Sequence, residues 1–210
     1  MDNLVWVDCE MTGLDLVTDA LVEVAVLVTD GDLNVLGDGV DIVIRPPAEA
    51  LAAMGEFVTT MHQTSGLLGL LDGGVTLEEA EAQVLEYVRT YVPESRKAPL
   101  AGNTIGTDRA FLARDMPTFE SHVHYRNVDV SSFKEVAKRW LPRVYYATPT
   151  KSGNHRALAD IRESIEELRY YREAMLVPPP GPDKAALAEI AARHQGALGG
   201  TDPVAEPPAV

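Results

Sequence analysis

The stretch "VWVDCEMTGLD", residues 5–15, decides how the rest of the chain is read. Leu4, Val5, Trp6 and Val7 have the composition of a buried strand, yet Asp8 and Glu10 put two carboxylates on alternate positions of the same run. On a strand, residues two apart project to one face, so Asp8 and Glu10 point together and Cys9 points away. Acids this close repel, and one is held protonated unless a cation lies between them. Gly13 opens a turn at once, which leaves the pair at the C-terminal end of the strand, a usual place for sites in α/β sheets. A solvated strand end whose acids face water is the plain alternative, so partners must be sought further along the chain.

Outward from this stretch the chain alternates strand and helix patterns. Residues 3–9, 20–30 ("ALVEVAVLVTD") and 40–46 ("VDIVIRP") are β-rich and separated by turn material, which predicts an antiparallel meander. Residues 48–72 look helical but broken by Gly55, Gly66 and Gly69. Residues 76–92 predict a helix with Thr76 and Glu79 as a capping box and Pro93 as its stop. A short strand follows at 98–103, then a helix through "TDRAFLARDMP" ended by Pro117, then a strand at 124–130. Ser131 or Ser132 is expected to cap the next helix, closed by Pro142, and residues 155–176 predict a long amphipathic helix with Leu158, Ile161, Ile165 and Leu168 on its inner face. The fold class expected is α/β, a mixed sheet with helices packed on it.

The 210 residues suit one domain with a real core, expected over 1–176. Residues 177–210 carry half of the fourteen prolines among Gly and Ala, which predicts a flexible tail, with "DKAALAEIAARH" as a possible short helix. A single cysteine excludes an internal disulfide and fits a reducing cytoplasm. No secretory leader or membrane-length apolar run is visible, so no membrane association is expected. The net charge of −14 disfavours binding long nucleic acids, since such affinity rests on many Lys/Arg–phosphate contacts. It does not exclude a nuclease that grips a few phosphates through a metal. A zinc site does not suit one cysteine and scattered histidines, and there is no P-loop, dinucleotide fingerprint or nucleophile elbow.

Three further residues complete a set. Asp108 opens a helix, where an acid also serves merely to complement the helix dipole. Asp160 sits between Leu158 and Ile161, beside the apolar stripe, with Arg156 and Arg162 as plain pairing partners. His155 lies five residues before Asp160, about 140° past a full helical turn, so the two converge only if His155 stands at or before the helix start. Each alone reads as surface chemistry. Together, four carboxylates and one imidazole are the kit for two-metal phosphodiester hydrolysis: Mg²⁺ prefers carboxylate oxygens, two ions about 4 Å apart hold the attacking and leaving oxygens, and a histidine deprotonates water.

In this order, Asp8-x-Glu10, Asp108 and His155-x₄-Asp160 resemble the DEDDh group of 3′→5′ exonucleases. "WVDCEMTGLD", "AGNTIGTDRAFLARDMP", "HYRNVDVSSFKE" and "HRALADIRESIEELRYYRE" resemble, more closely, the oligoribonuclease family over residues 3 to 176. The resemblance implies an RNase H-like fold, a homodimer, dependence on two divalent ions (Mg²⁺ or Mn²⁺), and degradation of very short RNA, dinucleotides above all, to 5′-mononucleotides. It implies Asp8, Glu10, Asp108 and Asp160 as metal ligands and His155 as general base. It further implies Leu14 as a wedge between bases, Phe57 and His62 at the bases, Thr104, Arg126 and Ser131 around a terminal 5′-phosphate, and Tyr125 as a residue delivered from the partner subunit. Leu14 and Phe57 have a plain alternative as core residues, and Tyr125 and Arg126 as an exposed strand. Asp115 and Asp129 are assigned no metal role. A 3′→5′ DNA exonuclease or proofreading subunit, with the same metals and histidine, is the alternative reading, and a non-catalytic binding protein on the same fold is a third.

Overall fold

The computed structural model describes residues 3–150 and 156–195. The chain divides into two units, Met1–Met175 and Leu176–Val210.

In the first unit a five-stranded sheet is built from β1 (Leu4–Met11), β2 (Leu21–Thr29), β3 (Val35–Val43), β4 (Pro99–Gly102) and β5 (His124–Asp129), in the order β3-β2-β1-β4-β5. β1–β2 and β2–β3 pair antiparallel, and β1–β4 and β4–β5 pair parallel. The sheet is therefore mixed, with β1 at the junction between the meander and the crossover strands. β2 is buried along its whole length, as a strand covered on both faces must be.

Helices cover both faces. α1 (Ala48–Ala53), α2 (Glu56–Thr64) and a 3-10 helix (Leu67–Gly73) fill the broken region, followed by α3 (Leu77–Tyr91), α4 (Ile105–Asp115), α5 (Pro117–His122), α6 (Val130–Trp140), α7 (Pro142–Tyr146) and α8 (Ala157–Met175). Val5, Val7, Cys9 and Met11 of β1 pack on one face with Val84 and Val88 of α3 and Phe111 and Leu112 of α4. Trp6 faces the other way, among Ala137 of α6 and Ile161, Ile165 and Leu168 of α8. The Trp6 indole Nε1–H donates to Thr29 Oγ1 at 3.0 Å, which satisfies its one polar atom in the core. The Thr76–Glu79 capping box forms as predicted, Glu79 N donating to Thr76 Oγ1 and Thr76 N to Glu79 Oε2.

Some local expectations differ. β3 starts at Val35 rather than 40, because Gly37 and Gly39 take φ of 74° and 83° and bulge within the ladder instead of leaving it. At Gly39 a Cβ would lie 2.7 Å from Leu27 Cδ1, so only glycine passes there. α4 and α6 do end ahead of Pro117 and Pro142 as expected, and each proline then begins a further helix, α5 and α7; proline's missing N–H is no loss at a first helical position. α6 is capped by Asp129, whose carboxylate accepts from Ser131 N, and not by Ser131 or Ser132. In the second unit the described residues include α9 (Lys184–His194), N-capped by Asp183.

Candidate active site

The alternation along β1 that buries Trp6 on the α8 side carries Asp8 and Glu10 to that side as well. Asp160, in the first turn of α8, meets them there. Asp8, Glu10 and Asp160 each offer one carboxylate oxygen, and the three atoms lie within 4.8 Å of one another. β1 pairing with β2 shifts register just after Glu10, so the regular ladder ends where the acids converge. Asp108 of α4 stands outside this group of three. It is buried, and its Oδ1 accepts from the Cys9 backbone N–H at 3.0 Å, which ties the first turn of α4 to the peptide between the two β1 acids.

The electrostatics follow from crowding. Burial, then Asp108, Asp160 and Glu10, push Asp8 up to about 9. Burial, then Glu23, Asp160 and Asp108, push Glu10 up to about 8, against an opposing pull from Arg156. Burial pushes Asp108 up to about 6, while the Cys9 hydrogen bonds hold it back. Burial among these acids pushes the Cys9 thiol upward too, so it is no nucleophile. Carboxyls poised this way gain most from a cation that restores their charged form. The donor set is all oxygen, and Cys9 belongs to the opposite, apolar face, so the cluster suits a hard divalent cation rather than zinc.

The chain matches the RNase_T exonuclease family over residues 5–168. An oligoribonuclease of Cutibacterium acnes is 64% identical over 197 residues, 94% of this chain and 98% of its own. Oligoribonucleases of Streptomyces coelicolor and Mycobacterium avium are 66% and 54% identical, over 92% and 99% of this chain and 96% and 98% of theirs. The chain belongs to the oligoribonuclease family. Among solved structures, a zinc-bound complex of E. coli exonuclease I with single-stranded DNA superposes with a TM-score of 0.65 at 14% identity, covering 83% of this chain and 41% of that one. Exonuclease I from Methylocaldum szegediense gives 0.59 at 19%, covering 83% and 41%. The chain thus spans about two-fifths of these exonucleases. The likeness concerns the fold alone, which is RNase H-like: the mixed sheet flanked by helices.

Of the other positions that the oligoribonuclease resemblance singles out, His62 alone among the described residues has a contact with this cluster given by the structure. His155 lies outside the described residues. Leu14 and Phe57 are 76% and 80% exposed, so neither is a core residue. The Leu14 loop is held from below: Asp19 accepts from Thr12 Oγ1 and from Asp15 N, and Arg114 donates to the carbonyls of Leu16 and Asp19. A Cβ on Gly13 would meet the Asp19 carboxylate at 2.4 Å. His62 is 0% exposed; its Nε2–H donates to the Met11 carbonyl at 2.8 Å and its Nδ1 faces Glu10 at 3.9 Å, so its ring touches the acid cluster from within rather than offering a surface face. Thr104 and Ser131 are drawn together by Asp129, whose Oδ1 accepts from Thr104 N at 3.0 Å and from Ser131 N and Oγ. Thr104 itself takes a left-handed φ of 56°. Tyr125 and Arg126 are exposed on β5, the guanidinium 5.5 Å from the ring centre. One residue went unread in the sequence. Glu23, wholly buried in β2, pairs across the strands with Glu10 and binds Arg156. Its signal was an acid inside "LVEVAVLV", the same anomaly that Asp8 and Glu10 present in β1.

Proposed function

We propose that this chain is a metal-dependent 3′→5′ exoribonuclease that hydrolyses very short RNA, dinucleotides above all, to 5′-mononucleotides. One observation carries the reading: in a chain of the oligoribonuclease family, three carboxylates from β1 and α8 converge within 4.8 Å at a strand end. Asp8, Glu10, Asp108 and Asp160 would hold two divalent ions, Mg²⁺ or Mn²⁺. Such ions, when bound, polarise the phosphoryl oxygens and make water a nucleophile at neutral pH. His155 takes the proton from that water. Leu14 and Phe57 offer exposed apolar groups to bases, and Thr104, Ser131 and Arg126 surround the terminal phosphate; His62, buried, supports Glu10 from behind. Tyr125 acts across a homodimer, and the exposed Trp140, Leu141 and Tyr146 are apolar surface of the kind a second copy covers.

The charge of −14 fits a short substrate. A dinucleotide needs few phosphate contacts, and an acidic exterior slows the approach of a longer polyanion. Among the described residues no helix is long and apolar enough to cross a membrane, and a cytoplasmic enzyme is the reading adopted. The deciding experiment is digestion of 5′-phosphorylated RNAs of two to seven nucleotides, with Mg²⁺, Mn²⁺ or chelator, beside His155→Ala. Turnover falling steeply with length, abolished by chelator and reduced by roughly 10²- to 10⁴-fold in His155→Ala, is expected. Equal turnover of the seven-mer overturns the short-RNA reading. Matched DNA dinucleotides, cleaved as fast as RNA, would favour a DNA exonuclease instead.

A further inference from the structure

Glu23 lies opposite Glu10 in the β1–β2 ladder and is 0% exposed. An unpaired carboxylate at such a depth would cost several kcal/mol, and this one is fully engaged. Arg156 forks onto Oε1, its Nε donating at 2.9 Å and its Nη2 lying at 2.8 Å. The Ala157 backbone N–H donates to Oε2 at 3.1 Å. Ala157 is the first residue of α8, and Asp160 N donates to the Arg156 carbonyl at 3.0 Å, one turn further on. A single side chain of β2 thus grips the first turn of the helix that brings Asp160 to Asp8 and Glu10. The rest of α8 is held by apolar contacts of Ile161, Ile165 and Leu168 and, beyond Asp160, by polar ties from Asn103 to Ser164 and Glu167 and from Arg169 to the Leu33 carbonyl; Glu23 is the directional hold on the turn that carries Asp160. Asp41, with its Oδ2 3.7 Å from Arg156 Nη2, adds a looser hold on the same guanidinium.

We propose that Glu23 is a positioning residue: by clamping Arg156 and the Ala157 amide it sets the register of α8 against β1, and so the distance of Asp160 from Asp8 and Glu10. This rests on the reading of those three acids as a cation site. A guanidinium fork and an ammonium carry equal charge but do not hold a carboxylate alike, so Arg156→Lys separates geometry from charge. Positioning partners behind metal ligands are worth roughly 10- to 100-fold in metal affinity.

The test is calorimetric titration of Mn²⁺ into the full chain, as wild type, Glu23→Gln, Arg156→Lys, Thr76→Ala and Asp8→Asn, with circular dichroism to follow melting. Glu23→Gln and Arg156→Lys are each expected to weaken Mn²⁺ binding about tenfold or more. Thr76→Ala, which loosens α3 far from the clamp, lowers the melting temperature and leaves Mn²⁺ affinity unchanged. In dinucleotide hydrolysis both clamp variants lose kcat at limiting Mn²⁺, regain it as Mn²⁺ is raised, and keep the wild-type KM for RNA. Wild-type Mn²⁺ affinity in Arg156→Lys overturns the proposal, whatever Glu23→Gln does, because charge alone then explains the latter. Should Glu23→Gln fail to fold, Arg156→Lys still decides. Asp8→Asn binding Mn²⁺ as wild type does would instead sink the cation-site reading itself, a failure distinct from that of the clamp.

Discussion

Two acid groups stand side by side on one sheet and are handled in opposite ways. Glu23 and Asp41, on β2 and β3, share the guanidinium of Arg156. Among the described residues Asp8 and Glu10 on β1 have no arginine within ion-pair distance. Among the described residues Asp8 has no ion-pair partner and Glu10 has only the His62 ring at 3.9 Å. Their pKa values divide in the same way. Burial and Glu23 push Asp41 up only to about 6, because Arg156 pulls it back, whereas Asp8 and Glu10 reach about 9 and about 8. A built-in cation is permanent and directional, so it suits a group whose task is to hold a helix. A group that must take and exchange an outside cation has to be left wanting one.

The largest effect that sharpens this contrast is at Asp8. Asp8→Asn removes a proposed cation ligand from the second group but also a crowded, desolvated acid. Dinucleotide turnover is expected to fall by at least about a thousandfold, while the melting temperature in chelator at pH 8 stays level or rises. A large drop in that melting temperature would break the comparison, since Asp8 would then be a structural anchor of the kind Glu23 is.

Next in size is the pH dependence of metal stabilisation. Acids with native pKa values raised above their unfolded ones favour folding while protonated. That advantage is full below about pH 4 and is lost as pH rises through about 8 and 9. The metal-free chain is therefore expected to melt lower at pH 9 than at pH 6. A divalent ion at a hundred times its Kd adds about 2.7 kcal/mol, roughly 5–10 °C for a chain of this size, and less at pH 6, where protons compete for the same oxygens. Scanning calorimetry with Mg²⁺ or chelator at the two pH values checks the sign. Equal metal shifts at both would mean the cation binds elsewhere.

The smallest expected effect is at Asp41. Its contact with Arg156 is long and partly exposed, worth on the order of 0–1 kcal/mol. Asp41→Asn should leave turnover and Mn²⁺ affinity within about threefold of wild type. A loss matching that of Glu23→Gln would show the clamp to be shared equally between the two acids.

Legibility followed how local the physics is. The period of two placed Asp8 and Glu10 on one face and Cys9 on the other from spacing alone, and the position of Asp160 beside an apolar stripe marked it as facing inward. The Thr76–Glu79 box was readable because both partners lie within one turn. Other features depend on long-range contact. Gly37 and Gly39 look like turn residues until Leu27 and Val26 are seen crowding Gly39 in the ladder. Asp129 outcompetes Ser131 as a cap because it also receives the Thr104 amide from another loop. The interior place of His62 depends on α2 folding over the end of β1, which no local pattern of residues 56–64 announces. Glu23 escaped because its partner Arg156 is 133 residues away, and its run was otherwise apolar enough to pass as ordinary core. The proposal of Leu14, Phe57, Thr104, Tyr125 and Arg126 as substrate contacts came from resemblance alone, since single side chains of this kind carry no spacing to read.

The double duty of β1 has a consequence for how such chains can diverge. Trp6 and the two acids share one face of a strand with a period of two, so inserting or deleting one residue within β1 upstream of Asp8 would carry both carboxylates to the opposite face, into the hydrocarbon packed by α3 and α4. Length variation among descendants of this sequence should therefore gather in the loop after Met11 and beyond α8, while β1 keeps its residue count even where its side chains drift.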